Sequence, residues 1–150
     1  MSRHRHWMGA AALVLVTATS ACGSSSSADN YCAAITSHRD DLSKTVGDGG
    51  ALALLDALPI FRDLQAKAPS DIHDDWSTVI DRLTALQDAL KAAGVDPSRY
   101  DAAHPPASLT TAQRQSITAA ATALGSAETV TALDNVQQQA RDVCHTPITV

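Results

Sequence analysis

The sequence predicts an all-α fold, a four- to five-helix bundle, and three features point to it. Hydrophobic residues are 45% of the 150 but aromatics only 3%, so a core must be aliphatic and packed through small side chains, which suits close helices better than sheets. Beyond residue 29, apolar residues recur three and four positions apart. Two cysteines, Cys32 and Cys144, bracket that periodic region, and no CxxC or other metal-type spacing accompanies them. In an oxidising exterior such a pair forms one structural disulfide. The alternative, a redox-active pair, needs neighbouring cysteines with a lowered thiol pKa.

The first helix is expected over 29–46, where Tyr31, Cys32, Ile35, Leu42 and Val46 fall at helical spacing and Gly47 can take the left-handed conformation past the end. After the Gly49-Gly50 break a second covers 52–67, with Leu54, Leu55, Leu58, Phe61 and Leu64 as its stripe. Pro59 removes a backbone donor there and crowds the preceding turn; a kink is expected, with a split as the alternative. The third helix carries the clearest pattern. Ser70 is its expected N-cap, Asp71, Asp74 and Asp75 suit the positive end of the helix dipole, and Ile72, Trp76, Val79, Leu83, Leu86 and Leu90 make an a/d seam. Gly94 ends it, with Val95 placed to touch Leu90 in a Schellman ending.

From 95 to 108 the chain carries Asp96-Pro97 and His104-Pro105-Pro106, both hostile to helix, so this is the one long connection. The fourth helix follows over 109–124, opened by Thr110 and Gln113 at capping-box spacing, with Ala120, Ala121 and Leu124 facing inward. Gly125-Ser126 permits a tight reversal. The fifth runs over 127–144, with Val130, Leu133, Val136 or Gln137, Ala140 and Cys144 on one side.

Five helices alternating up and down would leave Cys32 and Cys144 at opposite ends, whereas a disulfide needs Cα atoms within about 7 Å. One extra traverse is therefore expected. The 95–108 connection is long enough to run back along the third helix, which would make the third and fourth helices parallel; the competing solution is a second helix split at Pro59.

The N-terminus reads as an address. Arg3, His4, Arg5 and His6 form a basic head, and the apolar run from Trp7 to Ala21 is too short to span a ~30 Å hydrocarbon core, so residues 1–21 are expected to be a signal peptide. The run closes with Thr19-Ser20-Ala21 directly before Cys22, which resembles the lipobox at which bacterial lipoproteins are cleaved and lipidated; Thr19 stands where that family usually has Leu. A diacylglyceryl group on Cys22, with two palmitate-class chains, would hold the domain stably on the outer face of the cell membrane. Residues 22–29, rich in Gly and Ser, are expected to be a flexible tether of about 15 Å, followed by the bundle over 30–146 and a short tail over 147–150.

Lipobox-like Cys22 and its serine tract, Tyr31-Cys32, Ala68-Pro69-x-Asp71-Ile72-x-x-Asp75-Trp76, Ala93-Gly94-x-Asp96 and Val143-Cys144 occur in an order that resembles the small secreted lipoproteins of actinobacteria. The resemblance implies an exported all-helical domain with a terminal disulfide, and it carries over no catalytic residue.

Chemistry-bearing motifs are sparse. Removing Arg3 and Arg5 from the 11 Lys+Arg leaves nine basic residues against 16 acidic ones, a charge of −7, which argues against nucleic acid as a partner. There is no GxSxG elbow and no phosphate loop, since Gly47-Asp48-Gly49-Gly50 lacks a following Lys-Ser/Thr. Asp40-Asp41 and Asp74-Asp75 are adjacent in sequence and diverge by about 100° on a helix, which suits a solvated face better than an acid/base pair. His38, His73, His104 and His145 are scattered, and no catalytic residue, cofactor or metal is expected.

The sequence therefore assigns no reaction. The expected function is a non-catalytic binding or interaction module of the cell envelope, held by its lipid, whose partner is another envelope protein or an apolar ligand. The alternative is a metal-dependent hydrolase using His73 with Asp74 or Asp75, possible only if a distant group such as His38 converges on them.

Overall fold

A computed structural model of the chain describes residues 24–48 and 52–148. Among these residues there are six α-helices and no strand: α1 (Ser24–Asp48), α2 (Ala53–Asp56), α3 (Leu58–Lys67), α4 (His73–Ala92), α5 (Thr111–Leu124) and α6 (Ala127–Cys144), with a 3₁₀ turn at Pro97–Arg99. Cys32 and Cys144 are joined, their Cα atoms 5.1 Å apart. The all-α bundle with its ends linked is thus the observed architecture. The Gly49-Gly50 break and Cys22 lie outside the described residues.

Hydrogen bonds between helices set their directions. Arg62 donates to Thr84 Oγ1 and Gln65 to Ser77 Oγ, so α3 and α4 are antiparallel. Along the last third of the chain the α4 partners descend steadily. Ile117 shares a groove wall with Leu86, and Leu124 shares a small cavity with Val79 and Leu83. Glu128 then accepts from Arg82, Asp75 from Asn135, and Asp71 from Gln139. Both α5 and α6 therefore run antiparallel to α4, one after the other, and together form a single traverse.

That arrangement corrects the expected chain path. The 95–108 connection does not return along α4, and α4 and α5 are not parallel. Parity is satisfied because Gly125-Ser126 turns a corner instead of reversing the chain. Ser126 is the one residue there in an extended conformation (φ −68°, ψ 155°), and it caps α6 by accepting from Thr129 N. The buried Thr129 hydroxyl donates back to Ala123 O at 3.0 Å, tying the two helix ends together.

Pro59 likewise divides its segment instead of kinking it. It occupies the first turn of α3, where a missing N–H costs no helical bond, and Ala57 separates α2 from α3. Four traverses result, α1, α3, α4 and α5–α6, and the first begins where the last ends.

Local signals hold at most helix ends. Val95 N donates to Leu90 O at 3.0 Å and Gly94 N to Lys91 O at 2.9 Å, with Gly94 at φ +71°, which is the expected Schellman ending. Thr110 and Gln113 exchange both bonds of the capping box. Ser70 does not cap α4: residues 70–72 form a turn, and Ile72 takes the cap position with no side-chain bond. Burial of Ile72 anchors this end to the core in place of a polar cap.

The serine tract is also not a loose tether, because α1 begins at Ser24. Once the packed part of α1 has formed the costly nucleus, each further residue adds a hydrogen bond, and serine's propensity deficit is small.

The α4 seam is buried in full, together with Tyr31, Ile35, Leu42, Leu58, Leu64 and Ile117. The inner face of α6 is Thr129, Ala132, Val136 and Ala140, one position earlier than the expected Val130 and Leu133, and Val130 is 51% exposed. Ala121 on α5 is exposed as well. Small residues explain both shifts, since alanines and a threonine let α6 approach α4 closely while a stripe of larger residues would hold it off.

At the centre, Trp76 Nε1 donates to Tyr31 Oη at 3.0 Å, and Phe61 lies 5.5 Å from the indole, tilted by 44°. Burial pushes the Tyr31 phenol up to about 12, against the lowering effect of the Trp76 bond and with a smaller push from Asp71. The folded state therefore holds this proton after the unfolded chain has released it. The stabilisation is complete below pH 10 and is lost as pH rises from 10 towards 12, by roughly 2–3 kcal/mol. Alkaline titration monitored by circular dichroism should show this loss, and Tyr31→Phe should flatten the limb between pH 10 and 12 while lowering stability at neutral pH, where the indole N–H loses its acceptor.

Candidate functional site

An apolar recess lies towards the Gly94 end of α4, under the 95–108 connection. It is a half-open groove of about 640 Å³. Its floor is Leu86 and Ile117, its sides are Leu52, Leu124 and the α5 residues Thr118, Ala121 and Thr122, and its outer wall is Tyr100 and Ala102 from the connection. The folding of each wall is local. Gly94 turns the chain back at the top of α4, and the Pro97–Arg99 turn brings Tyr100 against the core. The α5 capping box fixes the start of the helix that supplies the opposite side.

Among the described residues no charged side chain lines this groove. Asp101 lies between Tyr100 and Ala102 in sequence, but its carboxylate is engaged locally, accepting from Ala103 N at 2.8 Å and from His104 Nδ1 at 2.9 Å. The His104 bond, followed by the backbone N–H of Ala103, lowers the Asp101 pKa from 3.8. The groove is thus left with neutral polar groups only: the hydroxyls of Tyr100, Thr118 and Thr122 and the backbone around Gly125. A recess of this size and character is suited to holding a small ligand.

A second constellation joins α1 to α3. His38 Nε2 donates to Asp63 Oδ2 at 3.0 Å, and Lys67 Nζ pairs with Asp63 Oδ1. The Lys67 bond, then that of His38, lowers the Asp63 pKa from 3.8. Every member is partly open to solvent, and the shallow recess beside them is lined by Asn30, Ala33, Ala34, Ser37, Asp63 and Lys67. Ser37 donates to its own helix at Ala34 O, so the trio is an ion-paired clamp with no nucleophile aligned to it.

The residues of the metal-hydrolase alternative are not brought together. His73 and Asp74 are exposed, Asp75 accepts from Asn135, and His38 is engaged by Asp63 on the α3 side. Among the described residues no three His, Cys, Asp or Glu side chains are grouped so as to hold a metal ion. Also among them, no helix is long and apolar enough to cross a membrane. Cys32 and Cys144 form the bridge described above, and Cys22 lies outside the described residues.

Sequence reasoning named an apolar ligand as one possible partner but did not identify the residues of this groove. Tyr100 was the available signal: it is an isolated aromatic between Pro97 and Pro105 in a connection that otherwise has no reason to carry one. Ile117, the one buried residue of α5, was passed over in favour of Ala121 because the alanine run has no periodicity of its own.

Comparison of the chain with protein-family models, with curated proteins and with solved structures returned no match.

Proposed function

We propose that the protein is a membrane-anchored extracytoplasmic lipoprotein acting as a non-catalytic binding module of the cell envelope. The observation that carries the binding role is the charge-free groove of about 640 Å³, formed without any aligned acid, base or nucleophile in its walls. Support for the anchor comes from the sequence, in the basic head, the apolar run and Thr19-Ser20-Ala21-Cys22. The linked Cys32–Cys144 pair is in keeping with an oxidising compartment.

With α1 starting at Ser24, a lipid on Cys22 would set the bridge end of the bundle at the bilayer. The groove would then lie roughly 20 Å further out, as judged from the 14 residues between Ile72 and Leu86 on or beside α4. The wild-type chain should partition into the detergent phase after cloud-point separation, and Cys22→Ser should move it to the aqueous phase. Aqueous partitioning of both would overturn the anchor.

A further inference from the structure

We infer that the groove beneath the 95–108 connection binds the chain of an uncharged lipid supplied from outside the protein. This inference rests on the binding-module reading above and names its ligand class. The part of the occupant held inside must be uncharged, because no described wall residue carries a charge and an ionic group there would leave its solvation unreplaced. The one nearby carboxylate, Asp101, is satisfied by Ala103 N–H and His104 Nδ1 within its own turn. It must be largely apolar because Leu52, Tyr100 and Leu124, all half-buried, leave hydrocarbon surface in the groove that an occupant would remove from water. The Tyr100, Thr118 and Thr122 hydroxyls suit a neutral polar end, such as an ester or a hydroxyl, at the mouth.

Two sources could provide such a chain: a free lipid, or the acyl groups on Cys22 itself. The geometry favours the free lipid. The described chain enters α1 at Ser24, at the end of the bundle marked by the disulfide, while the groove lies towards the opposite end of α4.

The test uses the full exported chain carrying Cys22→Ser, with the neutral fluorophore N-phenyl-1-naphthylamine as probe and monooleoylglycerol as competitor. Saturable one-to-one binding, displaced by the monoacylglycerol, is expected. Ala121→Trp fills the groove from an exposed helical position and should weaken binding at least tenfold, while Ala66→Trp, exposed on α3, should leave it unchanged. Helical circular dichroism confirms that both variants fold. Absence of saturable binding, or equal binding by Ala121→Trp, overturns the inference. If the lipidated wild type, stripped of free lipid, excludes the probe that Cys22→Ser binds, the groove is filled by the protein's own acyl chain and the inference falls. Should no lipid bind while an envelope protein copurifies stoichiometrically with the wild type, the lipid is overturned and the module reading survives. If neither binds, both fall.

Discussion

Replacing Cys32 and Cys144 together by serine is expected to lower the free energy of unfolding by about 4–5 kcal/mol. The bridge closes a loop with a sequence separation of 112, so in the chain-entropy description it withdraws most of the long-range freedom of the unfolded chain. Domains of this size have only about 5–15 kcal/mol of net stability, so the variant should sit close to its folding threshold at 37 °C. The structure indicates where the weakness would show. α1 and the last turn of α6 meet at this bridge, and besides it α1 is held by the buried Ile35 and Leu42, by the Tyr31–Trp76 bond and by the partly buried His38–Asp63–Lys67 clamp. Urea unfolding of the oxidised protein and the double variant checks this: the midpoint should fall, and the slope should rise because the uncrosslinked denatured state exposes more surface. Coincident curves would remove the bridge from the account of stability.

Trp76→Ala should cost about 3–5 kcal/mol, the range for truncating a fully buried aromatic. Trp76 is fully buried, offers its indole N–H to Tyr31 and packs against Phe61, which makes it the point where α1, α3 and α4 meet. Trp76→Phe should cost less, about 1–3 kcal/mol, since it keeps a ring beside Phe61 and loses chiefly the bond to Tyr31. Thermal melts followed by circular dichroism separate the two variants. An alanine variant as stable as the wild type would mean that the indole is not the packing centre.

How far the sequence could be read depended on the range of the interaction. Helix ends governed by adjacent residues were legible: the Gly94-Val95 ending and the Thr110-Gln113 box each need only a few positions in the right order. The α4 seam was legible because six large apolar residues leave one possible inner face. By contrast, α5 and α6 are rich in Ala, Thr and Gln, which fit either face, and the face that α6 buries is chosen by how closely its backbone can approach α4. Chain direction was the hardest part. Parity was met by losing a reversal and not by the extra traverse expected, because a corner and a hairpin differ by a residue or two at Gly125-Ser126, and the deciding bond, Thr129 to Ala123 O, joins residues of two different helices. The groove shares that difficulty, since its walls come from α2, α4, α5 and the 95–108 connection and no single stretch announces it.

The central claim is that this is an exported bundle, lipid-bearing at Cys22 and covalently closed between its first and last helices. Its most direct test is the intact mass of protein extracted from its native membrane without reductant. A polypeptide beginning at Cys22, heavier by the acyl groups and lighter by the two hydrogens of one disulfide, is the predicted result. A mass corresponding to an unprocessed chain from Met1 with three alkylatable thiols would contradict it.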